Sequence, residues 1–244
     1  MYEETWNKYV KGLKFLLPFI LVQVLFEIIS FKIFNNIGVD KYNFITEGEN
    51  LIRNSIGRNI KELITGNLAL IIFSLLVEPL FYSFVMIIMK KLITDKDVNY
   101  TEDFKVSLSF YLRYLGLTII IGAILLGTML LSLFAMVVIF VFFLIIILVI
   151  YLAIAVTPCS AYLIYYDTTP EEALSKGMAL GKKYFWKILL LSIIMGVLNR
   201  FIDVGPNASI IGYVAIAFIR TSVKFYLLMF TMNICKEEEI IEGY

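Results

Sequence analysis

Four charged side chains stand in otherwise apolar sequence: Glu27, Glu78, Arg220 and Lys224. A charge at the centre of a bilayer costs about 2.5–3.5 kcal/mol even on translocon-insertion scales, so such groups face a partner or a water-filled cavity. In spans 67–92 and 208–235, defined below, Glu78 lies 11 residues from the outer end and Arg220 lies 12. At about 1.5 Å of rise per residue their depths are roughly 16 and 18 Å, so the two can meet as an ion pair. Pro79 frees the carbonyl of Leu75 and adds polarity beside Glu78. Lys224, one turn from Arg220, shares its face and can snorkel toward the inner surface. Glu27 falls near the level of Arg200. The cluster reads as a structural ion pair that fixes helix register, or as a polar path through a bundle.

Other chemistry is excluded by composition. The chain has no histidine, which removes Ser-His-Asp and Cys-His catalysis, His proton relays and His-based zinc sites. Cys159 and Cys235 lie in or beside apolar segments and have no metal-ligand spacing. No Gly-rich phosphate loop is present, and a net charge of +1 offers no basic field for nucleic acid. The expectation is a chain with no catalytic residues, no cofactor, no metal and no nucleic-acid partner. Only carboxylate chemistry at Glu78 is left open.

The elements that position these charges follow from hydropathy. Of 244 residues 60% are hydrophobic, and mean hydropathy is +0.87. Soluble domains are about 45–50% apolar. From Tyr114 to Tyr166 no charge interrupts 53 residues, and one span needs about 20. The fold class read from this is all-α: a polytopic integral membrane bundle, one transmembrane domain over 1–244. Its six spans lie at about 13–34, 67–92, 114–134, 137–166, 184–204 and 208–235. No small-x-small cleavage site follows the first run, which reads as an uncleaved span.

With the N-terminus inside, the cytoplasmic side holds 13 Lys and Arg residues and the outer side 6. The positive-inside rule then places both termini in the cytoplasm of a multi-pass cell-membrane protein. Tyr111, Tyr114, Tyr165, Tyr166, Tyr184 and Trp186 fall at the inner interface, as an aromatic belt. The expected partner along most of the chain is the lipid bilayer.

Short amphipathic segments precede spans one, three and five. Glu3 and Glu4 lead the first, Thr101 is a candidate cap for the second, and Thr169-Pro170-Glu171-Glu172 is a full start signal for the third. Outbound ends echo one another in Val77-Glu78-Pro79 and Val156-Thr157-Pro158, which suggests three copies of a lead-in helix plus a two-span hairpin. On the outer side, Ile52, Ile56, Ile60 and Ile64 recur every four residues, marking an amphipathic surface helix over about 48–65. Small-residue spacings at Ala123/Gly127, Ser192/Gly196 and Ala208/Gly212 fit close helix packing.

The connection from Tyr166-Asp167-Thr168-Thr169-Pro170-Glu171-Glu172-Ala173 to Gly181-Lys182-Lys183-Tyr184-Phe185-Trp186 resembles that of uncharacterised bacterial six-span proteins. Their domain also forms the membrane part of some glycerophosphoryl diester phosphodiesterases. The resemblance implies the six-span layout over nearly the whole chain. The soluble phosphodiesterase domain is absent from this sequence, so nothing catalytic carries over. Glu171-Glu172-Ala173-Leu174-Ser175-Lys176-Gly177 is also similar to the cytoplasmic loop by which ABC importer permeases dock on their ATPase. It differs in placing Ile188 one residue late with no proline after it. Either way, 170–183 is expected to be a cytoplasmic interaction helix, with Glu171, Glu172, Lys176 and Gly177 as its candidate contacts. The functional expectation is a non-enzymatic membrane scaffold or homeostasis domain, the alternative a transporter or permease-like subunit.

Overall fold

The structure, a computed structural model, describes residues 1–36, 75–134, 139–201 and 210–242. Regular structure among them is entirely helical: α1 (Tyr2–Asn36), α2 (75–93), α3 (Tyr100–Phe134), α4 (Ile139–Val156), α5 (Cys159–Tyr166), α6 (Pro170–Lys183), α7 (Phe185–Phe201) and α8 (Ile210–Glu242). Among the described residues four stretches are long and apolar enough to cross a membrane: Tyr2–Ile29, Tyr100–Leu131, Phe143–Tyr166 and Ile211–Ile241. The chain is an all-α bundle of the membrane type. The outer amphipathic helix expected over 48–65, residues 205–207 between the fifth and sixth expected spans and the first part of span two lie outside the described residues.

The lead-in segments of spans one and three are not separate helices. α1 and α3 each run 35 residues, about 52 Å, against the roughly 30 Å of a hydrocarbon core. Gly12 and Pro18 of α1 and Gly116 of α3 do not interrupt them, and each helix simply continues. The cap of α3 also differs from expectation. Asn99, not Thr101, starts it: the Thr101 N–H donates to Asn99 Oδ1 at 3.2 Å, and Asp103 Oδ2 accepts from the Asn99 N–H at 3.0 Å. α6 begins as its sequence predicts, with Thr169 Oγ1 accepting from the Glu172 N–H and Pro170 in the first turn. It stops at Tyr184, whose N–H turns back to the Leu180 and Lys182 carbonyls before α7 starts.

Span four breaks where proline predicts. Thr157-Pro158 interrupts the helix between α4 and α5, and Thr157 Oγ1 donates to the Ala153 carbonyl at 2.8 Å. α5 then dives into the core, burying Cys159, Ala161, Tyr162, Leu163, Ile164 and Tyr165. The same buried core holds Leu16 and Ile20 of α1, Met86 and Met89 of α2, and Phe225 and Phe230 of α8. By contrast α4 is apolar on all sides and leaves Ile147 63% exposed, as a lipid-facing helix should.

α6 lies against the α4–α5 kink because two glycines let it. A Cβ on Gly177 would come within 2.6 Å of Cys159 Cα, and one on Gly181 within 2.1 Å of the Ala155 carbonyl oxygen. Their four-residue spacing puts both on one face. Two of the spacings expected to pack do not, since a Cβ on Gly127 or Gly196 would meet nothing within 4 Å, while Ala208 of the third lies outside the described residues.

The helix ends that gather with the two chain termini, here the terminal end, are tied by a recurring clasp. Lys8 of α1 pairs with Asp95 after α2, Arg113 of α3 with Asp167 after α5 at 2.7 Å, and Lys183 of α6 with Glu238 of α8 at 2.7 Å. Each cation precedes a buried tyrosine: Tyr9, Tyr114 or Tyr184. The paired residues are 87, 54 and 55 positions apart. The first separation exceeds the third by 32, the length of the sequence 35–66 between the first two expected spans. Asp95 (φ 54°) and Asp167 (φ 56°) both take left-handed conformations. The next N–H reaches back five residues in each case, from Lys96 to Lys91 and from Thr168 to Leu163. These are two matching Schellman caps. The three clasps fit the three-unit reading, whereas the Val-x-Pro echo occurs twice and its copies differ: α2 runs on through Pro79, while Pro158 separates α4 from α5. Burial of Tyr114, Tyr165 and Tyr184 also corrects the expected aromatic belt, of which Trp186 stays exposed.

Candidate functional site

Three helices contribute polar pairs to one region inside the bundle. α1 brings Gln23 and Glu27, α2 Glu78 and Tyr82, and α8 Arg220 and Lys224 with Thr221 between them. Each pair is spaced i,i+4, so both members lie on one face of their helix. α1 meets α8 at several points, from Tyr2–Phe230 and Tyr9–Ser222 to Glu27–Thr221.

Lys224 is the hub. Its Nζ donates to the Tyr82 hydroxyl and sits 4.6 Å from the centroid of that ring. Its charge is within electrostatic range of both Glu78 and Glu27. Thr221 Oγ1 donates to Glu27 Oε1 at 3.5 Å, and Glu27 in turn feels Lys224 and Arg220. Gln23 and Tyr82 are buried, while Glu27, Glu78, Arg220 and Lys224 are half-buried.

The four charged residues picked from the sequence thus converge, but with other partners than depth alone implied. Among the described residues no ion pair joins Glu78 to Arg220. The cation near Glu78 is Lys224, and Arg220 is in range of Glu27. Helical rise fixes depth, while the seating of α8 on α1 fixes rotation, and rotation decides which cation meets which acid. The side chain of Arg200 lies outside the described set. Tyr82, Thr221 and Gln23 were missed, although their i,i±4 and neighbouring positions beside Glu78, Arg220 and Glu27 were visible signals. Two acids and two cations, with a tyrosine hydroxyl and a threonine, can neutralise one another or pass a proton or small ion. Among the described residues no three Cys, Asp or Glu side chains gather to hold a metal.

The residues picked on α6 divide. Glu171 and Lys176 are exposed and Glu172 half-exposed, with Lys176 Nζ on Glu172 Oε1 at 2.7 Å. Gly177 is buried under Cys159 and has no outward surface. The exposed face is completed instead by Ser175, Ala179, Lys182 and Lys183.

A second polar layer lies at the terminal end. Lys90 Nζ donates to the Ile164 and Tyr165 carbonyls at 3.1 and 2.7 Å, closing the C-terminus of α5. Tyr165 donates to Glu239, and Glu238 accepts two bonds from Lys183 and one from the Tyr184 hydroxyl. Buried Asp103 takes Lys91 at 2.6 Å, and Lys236 meets Glu4 at 3.0 Å. Compared with known families, curated proteins and solved structures, the chain matches none.

Proposed function

We propose that the chain is a six-span bacterial cell-membrane protein with both termini in the cytoplasm, working without catalysis as a scaffold. The observation that carries this is the terminal end itself. Clasps, Schellman caps and the glycine seat of α6 hold it as a fixed plate, with the polar face of α6 turned outward. The 13 to 6 basic asymmetry supports a cytoplasmic plate. So does the resemblance to the membrane domain of glycerophosphoryl diester phosphodiesterases, which supports the same layout. In the interior the two acids and two cations balance, and that suits a structural role.

A transporter or permease-like subunit is the second reading, and the half-buried cluster of Glu27, Glu78, Arg220 and Lys224 favours it. One experiment separates the two. A photo-crosslinker at Ala179 and the neutral pair Glu27→Gln/Lys224→Gln are examined in the same cells. The scaffold reading expects crosslinks to lipid or to a partner without ATPase activity, and a cellular phenotype unchanged by the neutral pair. An ATPase crosslink, or loss of phenotype with normal protein levels, would replace it with transport. A reporter fused at Tyr244 should be active only in the cytoplasm.

A further inference from the structure

A groove of about 560 Å³ runs along the surface between α1, α7 and α8, on the side of α8 away from the polar cluster. This is within the range of about 300–1,000 Å³ typical of small-molecule sites. Its walls are apolar: Leu191 and Ile194 from α7, and Phe218, Ile219 and Val223 from α8. From Phe218 to Leu227 it extends nine residues along α8, about 14 Å. That is close to half of a roughly 30 Å hydrocarbon core, the depth of one leaflet and too short for a crossing helix.

The end of the groove nearest the chain termini changes character. Tyr2 and Trp6 line it there, with Trp6 55% exposed and edge-on to Tyr226 at 5.8 Å. Glu3 lines the same end. Lys187 flanks it one turn before Leu191, with its carbonyl accepting from the Tyr2 hydroxyl at 3.1 Å. The Lys187 Nζ lies 3.4 Å from Met1 Sδ and 5.1 Å from the Tyr184 ring centroid, with no carboxylate paired to it among the described residues, so a carboxylate lines the mouth of an apolar slot one leaflet deep and a cation flanks it. A phosphate beside an ammonium, on acyl chains, is the chemistry that answers both charges.

We propose that this groove binds one zwitterionic phospholipid of the terminal-end leaflet, its acyl chain along Leu191, Ile194 and Val223 and its headgroup between Lys187 and Glu3. Lys187 meets the phosphate and Glu3 the ammonium. The proposal rests on the membrane-spanning reading above.

The test uses the full chain in mild detergent, washed free of lipid and titrated while bound lipid is counted by native mass spectrometry. Dioleoyl phosphatidylethanolamine, dioleoyl phosphatidylglycerol and dioleoylglycerol are the probes. One phosphatidylethanolamine per chain is expected, bound at least about tenfold more tightly than the diacylglycerol, since charge-assisted hydrogen bonds of this kind are worth a factor of ten or more. Lys187→Gln should weaken both phospholipids, whereas Glu3→Gln should weaken only the one with the ammonium. Val223→Trp fills the slot and should abolish binding, with Ile194→Trp as a second filling variant should the first fail to fold. Equal retention of all three lipids, or unchanged binding in a folded filled variant, would mean adventitious annular lipid only and end the proposal. Extraction of the wild-type chain from membranes by alkaline carbonate would instead defeat the spanning reading, so the two failures are told apart.

Discussion

Replacing Gly181 with alanine adds one methyl group at a very close approach, 2.1 Å from the Ala155 carbonyl oxygen. Ordinary contact begins near 3.4 Å, so α6 would have to retreat by about 1.3 Å. That retreat lifts Ala173, Gly177 and Leu180 off the same surface. A gap of 0.5–1 Å forfeits about a quarter to a half of each dispersion contact, and overpacking costs about 1–3 kcal/mol. Alanine returns about 1 kcal/mol of helix propensity. Taking the upper end of the overpacking cost, the net loss is about 2 kcal/mol, or roughly 4–8 °C of Tm for a chain of this size. The control is Gly196→Ala, where a Cβ meets nothing within 4 Å, and there the propensity gain should stand alone. Thermal unfolding of both variants in one detergent is the assay. A Gly181→Ala protein melting at or above wild type would refute the close seating of α6.

In the polar cluster, Lys224→Gln should cost about 3–5 kcal/mol because it strands Glu78 and leaves Glu27 with Arg220 alone, and a double-mutant cycle on Tm should couple Lys224 to Glu78 while leaving Arg220 and Glu78 additive. At the first clasp the Lys8 ammonium holds the Asp95 carboxyl below the usual carboxylate range. A lowered folded-state pKa means the stabilisation is present above the unfolded carboxylate pKa and lost as pH falls through the folded one. Asp95→Asn, which still tolerates φ near 54°, should therefore melt slightly lower than wild type at pH 7 and equal to it at pH 2–3, read by a pH series of melts; the difference will be small because the pair is exposed. Cys159 and Cys235 are free and buried, so maleimide should label neither in the folded protein and both after unfolding; rapid native labelling would contradict the packing of α5.

Apolar run length was enough to locate the long helices, and Thr169-Pro170-Glu171-Glu172 was enough to start α6, because both signals are local. The candidate charges were legible for the same reason: an acid or a base in apolar sequence stands out wherever it falls. Their partners were not, since pairing depends on how α8 is rotated against α1. Glycine spacing misled in the same way. Gly127 and Gly196 share the pattern of Gly177 and Gly181, and only the fold decides which pair meets a neighbour. The clasps left a trace in three basic-tyrosine dipeptides, but Lys41-Tyr42 is a fourth copy of that signal outside the described residues. Thr101 lost the cap of α3 to Asn99 because Asp103 reaches back to the Asn99 N–H, a choice between two good caps that spacing alone does not make.

The distribution of contacts along the chain sets an order of assembly. Each clasp closes within its own hairpin, so a ribosome can deliver the units one after another and each can settle when it emerges. The seam between α1 and α8 cannot: Asn233 reaches Thr5 across 228 positions and Lys236 reaches Glu4 across 232. Until the last helix inserts, Glu27 and Glu78 are in the bilayer without the two cations that α8 carries. During synthesis the nascent protein therefore holds two uncompensated acids in its interior, and arrival of α8 extinguishes them together. A chain cut short before residue 210 would keep that defect permanently.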